Sequence, residues 1–432
     1  MSIEQIVQKA SRKGLAAQAT LRAQETSKVD FENDRLKSAE SSQRTEIQLR
    51  VIKDGKVGLS STTDPNDVDG VVNRALEAAE FGSTAHYELP AAQPLPEVNT
   101  FDANILTLTK PDMIHLGQGM MDMIKSYNPE ILAGAAVSRV QTKVEYANSA
   151  GARYAADHTD FNVSAGGQLV RGTDILFAGD SVRRKQRNVD PELIAERAIN
   201  YFRMAEQIVP IQTGEYPVIF TPGGLIALLL SLGLELDGKN VLLGASPLAG
   251  KLGQTIADPR FSLTDDPLLD YGPNSASFDN EGVARAKLPL IENGVLRNFV
   301  YDLDTAGRAG AQPTGHGSTR SYSNLVIAAG DTPYANMLKN IRQGLLVHEF
   351  LGLGQGNPIN GDFSVNLFLG YKIEDGEIVG RVKDVMLAGN ALHAIQDVAA
   401  ISKEREWVSG DFAWIAGLYP YLQVNKLSVV AK

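Results

Sequence analysis

The second half of the chain is organised around the turn TPGG at 221–224 and the apolar run LIALLLSLGLEL at 225–236. Within that run, only Ser231, Gly233 and Glu235 interrupt the aliphatic residues. The run is long enough for about three turns of helix, and it is much shorter than the ~20 residues of a membrane span. Because a helix with aliphatic side chains on every side must be covered by protein, we predict a buried core helix here.

Length, charge and cysteine content limit the class of protein. A chain of 432 residues is expected to form two or three domains with substantial cores. The formal charge of −10 argues against nucleic-acid binding, which needs a basic face. The chain has no cysteine, which excludes disulfide bonds and thiolate metal ligands. Residues 1–5 do not resemble a signal peptide and no apolar run has membrane length, so we expect a cytoplasmic protein without membrane contact.

The first half combines strand and helix patterns. Period-two alternation at 17–23 and 47–51 predicts half-buried strands, and KDGK at 53–56 predicts a tight hairpin. A Met-rich amphipathic pattern predicts a helix near 111–126. Asp190 is followed by proline, which is typical of a helix cap and first helical position.

A domain boundary is predicted at 208–216, where a proline and a glycine interrupt the periodicity. Beyond it, NG at 293–294 and DG at 375–376 lie between short apolar segments, which is typical of antiparallel hairpins. The predicted fold class is α+β. We expect an N-terminal α/β domain with antiparallel sheet and helices (1–210). We expect a C-terminal domain (211–432) dominated by antiparallel sheet, barrel-like, with the buried apolar helix.

Several short segments, taken in order and spacing, resemble the TldD/PmbA family, also known as modulators of DNA gyrase and as peptidase U62. The resemblance covers most of the second half and one segment of the first. These segments are YANSAG at 146–151, SASFDNEGV at 275–283, LIENGVL at 290–296, PTGH at 313–316, GLLV at 344–347 and the stretch 352–362.

The resemblance implies a zinc site in one branch of the family and its loss here. In the TldD branch, the helix after a Gly-containing turn carries H-E-x-x-x-H, which supplies two zinc ligands and a catalytic glutamate. Aligning the glycine of that motif with Gly233 places Leu229, Leu230 and Leu234 at the three functional positions. The branch's third ligand is a cysteine near the C-terminus, and this chain has none. The chain therefore resembles the PmbA (TldE) branch, for which we expect no metal and no cofactor.

His348 and Glu349 form the one sequence pair that could contribute to a metal site. A zinc-peptidase helix needs a second histidine four residues after the first, and that position is Gly352. Further ligands would have to come from distant residues, of which His316 and Asp362 are candidates. The other interpretation is an ordinary hydrogen-bonded pair.

A glycine-rich segment follows this pair. Its spacing does not match G-x-G-x-x-G, so a nucleotide loop is not predicted. Glycines also allow positive φ or close backbone approach, and an extended peptide could be the approaching chain. The alternative is a structural turn with a hydrogen-bonded histidine nearby. The predicted peptide-cleft residues are His316, Gly352, Gly354, Gly356, Asn357 and Asp362.

Three functions are compatible with the sequence. The resemblance implies a zinc-free subunit that partners a TldD-type metalloprotease and acts on small or unfolded polypeptides. A second hypothesis is a self-associating peptide-binding protein that acts without TldD. A third is an independent metal-dependent hydrolase that uses His348, Glu349 and His316 as catalytic residues. We expect the chain to form a homodimer when alone.

Overall fold

A computed structural model describes residues 3–317, 322–354, 356–409 and 415–431. The fold is α+β, as predicted, and contains two antiparallel-rich sheets. The elements of the first half are α1 (Ile3–Arg12), β1 (Ala16–Glu32), β2 (Arg35–Lys53), β3 (Lys56–Thr62), α2 (Val68–Glu80), α3 (Ala103–Leu106), α4 (Lys110–Tyr127), β4 (Leu132–Asn148), β5 (Arg153–Arg171), β6 (Asp174–Arg184) and α5 (Pro191–Met204).

The N-terminal sheet has the strand order β3-β2-β1-β4-β5-β6, and every neighbouring pair is antiparallel. One face carries the helices. Helices α1 and α2 pack on one end of that face around Val51 and Val72, and α4 and α5 pack on the other end around Phe161 and Phe202. The opposite face is largely polar, because strand residues alternate between the two faces.

The second half supplies the remaining elements. They are β7 (Gly214–Phe220), α6 (Ile226–Glu235), α7 (Gly238–Leu242), β8 (Leu263–Asp265), β9 (Leu288–Glu292), β10 (Val295–Leu296), α8 (Leu303–Ala309), β11 (Leu325–Ile327), α9 (Tyr334–Lys339), β12 (Gln343–Leu351), a 3₁₀ turn (Pro358–Asn360), β13 (Asp362–Glu374), β14 (Glu377–Arg381), β15 (Val385–Asn390), α10 (Ala391–Gln396), β16 (Val398–Val408) and β17 (Gly417–Ala431).

The C-terminal sheet closes on itself. The path β17-β15-β13-β12-β7 returns to its start because β17 also pairs with β7, so these strands form a five-stranded barrel within the described residues. The predicted barrel-like sheet is therefore confirmed. Strands β8 to β11 extend the sheet beyond β17, while β14 and β16 pair with β13 and β17.

The apolar run forms a buried helix, as predicted. Helix α6 shares its core cluster with inward-facing residues of the barrel strands, such as Val218, Leu345 and Val429. Strand residues of opposite parity, including Ile219 and Leu346, pack in a second core with α4 and α5. The barrel wall is thus apolar on both sides, and its outer side joins the two halves of the chain.

Tight-turn predictions are confirmed, and some boundaries are wrong. The residue pairs at 54–55, 293–294 and 375–376 all have positive φ, as a two-residue hairpin requires. Strands β1 and β2 extend far beyond the predicted segments, and they meet at a further turn, Asn33-Asp34. In the described part of the chain, no helix is long and apolar enough to cross a membrane.

Candidate functional site

A cleft with a volume of about 880 Å³ lies between the N-terminal sheet and the barrel. The glycine-rich ends of β5 and β6 form one wall, and the turn before α6 forms another. The end of β12 and the last residues of β16 complete it. Its lining residues include Asp180, Arg197, Tyr201, Gly223, His348, Glu349, Gly352, Glu406 and Trp407.

His348 occupies an irregularity in β12. The register with β13 shifts between Val347 and Glu349, so the strand bulges at His348. Its Nδ1 lies 2.8 Å from the Thr221 hydroxyl, and its ring stacks on Tyr201 with ring centroids 3.9 Å apart. Burial lowers the pKa of His348 to about 4, so the imidazole is neutral at pH 7. A neutral, stacked ring can exchange hydrogen bonds but does not supply a positive charge.

Glu349 is the next residue, and its side chain is exposed at the cleft. Across residues 3–317, 322–354, 356–409 and 415–431, no three His, Cys, Asp or Glu side chains group as metal ligands. The two residues of the predicted pair therefore both line the cleft, without a third such ligand beside them.

Arg197 links two carboxylates at the cleft wall. Its Nη1 lies 3.4 Å from Asp180 Oδ2 and 3.0 Å from Glu406 Oε2. Burial raises the pKa of Asp180, and the Arg197 charge opposes that rise. Tyr421 donates a hydrogen bond of 3.0 Å to the other oxygen of Glu406. This network was not predicted, since its members come from β6, α5, β16 and β17 and share no sequence motif.

The three positions aligned with the zinc motif carry only hydrocarbon. Leu229 and Leu234 are 1% and 8% exposed, and Leu230 is partly buried against the same core. Zinc requires nitrogen, sulfur or carboxylate donors, so these positions do not fit the metal.

The amino-acid sequence matches two family models. One, described as the PmbA/TldA metallopeptidase C-terminal domain, matches residues 213–431. The other, PmbA/TldA metallopeptidase domain 1, matches residues 19–79. The chain belongs to the PmbA/TldD family.

Two relatives of this PmbA/TldD protein match along most of their length. An uncharacterized protein of Methanocaldococcus jannaschii is 26% identical over 417 residues, which cover 93% of this chain and 95% of that protein. A metalloprotease of Methanothermobacter thermautotrophicus is 24% identical over 403 residues, which cover 88% of this chain and 86% of that protein. The crystal structure of TldE from Thermococcus kodakarensis has the same fold, with a TM-score of 0.91 at 23% identity, covering 99% of this chain and 100% of that one.

Glu235 is a buried carboxylate that sequence reasoning did not select. It follows Leu234 at the end of α6, and its exposed fraction is 0%. Neither carboxylate oxygen has a hydrogen-bond partner among the described residues. Burial raises the pKa of Glu235 to about 8, Lys251 opposes the rise and Asp362 adds to it. The sequence signal for this residue was a single acidic side chain within the aliphatic run at 225–236.

His316 lies in a different place from His348. Its Nε2 is 2.8 Å from Asp265 Oδ2, and its Nδ1 is 2.8 Å from the Thr314 carbonyl oxygen. Both His316 and Asp265 are buried, and neither lines the cleft. Both ring nitrogens of His316 thus have partners.

The predicted glycine-rich segment occupies the connection from β12 to β13. Gly352 lines the cleft, and Gly354 and Gly356 follow it with positive φ. The carbonyl oxygen of Asn357 accepts a hydrogen bond from the Asp362 amide at 3.1 Å. The structure thus places one end of the segment at the cleft and the other end at the start of β13, beside α6.

Proposed function

We propose that this PmbA/TldD-family chain is a zinc-free subunit of the TldE type, which partners a TldD-type metalloprotease in the proteolysis of small or unfolded polypeptides. The observation that carries the proposal is the buried apolar environment of Leu229 and Leu234, where the motif would need zinc ligands. The TldD-type partner supplies the zinc and the catalytic glutamate, and this chain supplies binding surface.

The cleft between the sheet and the barrel is the proposed polypeptide-binding surface of this subunit. It is large enough for several residues of an extended chain, since ligand pockets commonly range from roughly 300 to 1,000 Å³. Tyr201, Trp407 and the neutral His348 offer flat rings to side chains, while Gly352 leaves room for a backbone. Residues 1–210 and 211–432 are the proposed domains on its two sides.

The independent hydrolase is less well supported. It would need His316 to act together with His348 and Glu349, but His316 is held in a buried pair with Asp265 away from the cleft. The self-associating peptide-binding protein differs from the TldE-type subunit in its partner rather than in its cleft. We propose a homodimer for the isolated chain, exchange into a mixed dimer with the TldD-type subunit, and a cytoplasmic location.

The experiment is reconstitution. A TldD-type subunit from the same organism is assayed with an unfolded polypeptide, alone and with this chain added. We expect light scattering to show a mixed complex, with activity higher than that of either subunit alone. If the two chains stay separate and activity is unchanged, the partner role is excluded and the self-associating protein is favoured.

A further inference from the structure

A group of cationic side chains lies on the polar face of the N-terminal sheet, opposite the helices. Arg22 comes from β1, His158 from β5 and Arg183 from β6, and Lys185 follows directly after β6. Strand parity places them together, since Phe161 and Val163 of β5 point to the helix side. Arg285 reaches the same region from the second half of the chain.

This group has more positive than negative charge. Lys185 Nζ and Arg183 Nε lie 3.8 and 3.9 Å from the same oxygen of Asp160. In the described ranges, Asp160 is the carboxylate that pairs with these cations, and neither Arg22 nor Arg285 has an ion pair. An excess of positive charge is unexpected in a chain whose formal charge is −10.

The pKa of His158 reflects the positive electrostatic potential in this group. Burial, together with the positive charges of Lys185, Arg22 and Arg285, lowers the pKa of His158 to about 3. The ring is therefore neutral at pH 7, and the charges named beside it are all positive. Lys185 itself is 6% exposed, so water does not screen it as it would screen a surface lysine.

Several buried polar atoms in this group lack partners. His158 Nδ1, Arg183 Nε and Arg285 Nε are buried and form no hydrogen bond within the described chain, and neither does the acceptor Asp160 Oδ1 beside them. The Thr142 hydroxyl lies directly across from His158 on β4, and it is also buried and unpartnered. Buried polar groups are nearly always satisfied in folded proteins, and the unpartnered nitrogens here outnumber the one unpartnered carboxylate oxygen, so a further acceptor is expected. The acceptor that best suits guanidinium and ammonium donors is an oxyanion.

We propose that Arg22, His158, Arg183, Lys185 and Arg285 bind a small oxyanion, either a free phosphate or the terminal carboxylate of a polypeptide. The site contains residues from both halves of the chain, so the bound anion bridges the N-terminal sheet and the segment that carries Arg285. The site is separate from the cleft and needs neither zinc nor a partner subunit. If no oxyanion binds at this site, the proposed proteolytic role is unaffected.

The test uses the full chain alone. Calorimetry measures binding of inorganic phosphate, with sodium chloride at equal ionic strength as the reference. The same titration uses an N-acetylated peptide with a free C-terminal carboxylate and its C-terminal amide. The variants are Arg22→Gln, chosen because Arg22 is exposed and should not be needed for folding, and Lys185→Met. The control is Lys143→Met, an exposed cation of β4.

We expect phosphate to bind saturably and to raise the melting temperature by several degrees. Affinity should fall at least tenfold in Arg22→Gln and in Lys185→Met and remain unchanged in Lys143→Met. If the free-carboxylate peptide also binds and its amide does not, the ligand is the terminal carboxylate of a polypeptide. If phosphate binds and the peptide does not, the ligand is a free phosphate. The proposal is overturned if neither probe binds beyond the chloride reference. It is also overturned if binding survives both variants, which indicates an adventitious ion only.

Discussion

His348 Nδ1 lies 2.8 Å from Thr221 Oγ1, and the same hydroxyl oxygen accepts a 3.0 Å hydrogen bond from the Gly224 amide. The bulge in β12 is therefore tied to the turn that precedes the buried helix α6. Because Tyr201 of the first half stacks on the same imidazole, one hydroxyl aligns parts of both cleft walls.

Thr221→Val should destabilise the protein by about 1–3 kcal/mol, because Thr221 is buried and valine leaves the Gly224 amide and His348 Nδ1 without their partner. Thr221→Ser keeps the hydroxyl oxygen and should lose much less stability. Denaturant unfolding of both variants measures the difference. A larger loss of stability in Thr221→Ser than in Thr221→Val would indicate that packing of the methyl group, rather than the hydroxyl, holds the turn.

Glu235 predicts a specific pH dependence. Its pKa is about 8 in the folded chain against an ordinary value of 4.5, so the folded state holds a proton that the unfolded state releases between those values. The free energy of unfolding should therefore fall as the pH rises from about 4.5 to about 8. Glu235→Gln mimics the protonated acid and should be more stable than wild type at pH 8. Its free energy of unfolding should also vary less with pH between about 4.5 and about 8.

Melting temperatures at pH 5 and pH 8 measure this effect. The matched control is Glu292→Gln, which changes an exposed carboxylate and should follow the wild-type pH curve. Parallel curves for Glu235→Gln and wild type would mean that the Glu235 carboxylate has a hydrogen-bond donor or a cation beside it in the folded protein.

Leu229→Asp should destabilise the fold by several kcal/mol or prevent folding, because an unpaired carboxylate would enter the barrel core. Leu243→Asp is the control, since Leu243 is 63% exposed just after α7. Thermal unfolding compares the two. A Leu229→Asp protein that melts within a degree or two of wild type would be inconsistent with a buried α6.

Blocking the cleft should reduce peptidase activity of the mixed complex with a TldD-type subunit. Gly352 has φ of 79°, so Gly352→Ala and Gly352→Trp share the backbone strain, and only tryptophan adds bulk to the cleft. We expect Gly352→Trp to have several-fold lower activity than Gly352→Ala on an unfolded polypeptide. Equal activities would exclude this cleft from the substrate path.

Local signals predicted much of the fold. The aliphatic run at 225–236 predicted α6. The Asx-Gly pairs at 54–55, 293–294 and 375–376 predicted the hairpins, because Asn, Asp and Gly adopt the positive φ that these turns need. The outer parts of β1 and β2 were missed because residues 24–28 and 40–46 are polar on both faces, so no hydrophobic alternation marks the strands there.

The cleft could be predicted only in part. His348 and Gly352 were selected because histidine and glycine are conspicuous as residue types, and both line the cleft. Tyr201 and Arg197 come from a helix whose inward pattern resembles any amphipathic helix. Their contacts with His348 and Glu406 depend on packing of the N-terminal sheet against the barrel, which no local pattern encodes.

Elemental analysis of the separated subunits tests the zinc-free role most directly. The complex with a TldD-type chain is purified without chelators, dissociated, and each subunit is measured for zinc. We predict about one zinc per TldD-type chain and no stoichiometric zinc in this chain, whether wild type or His348→Ala. About one zinc per copy of this chain, lost in His348→Ala, would contradict the account and favour an independent metal-dependent hydrolase.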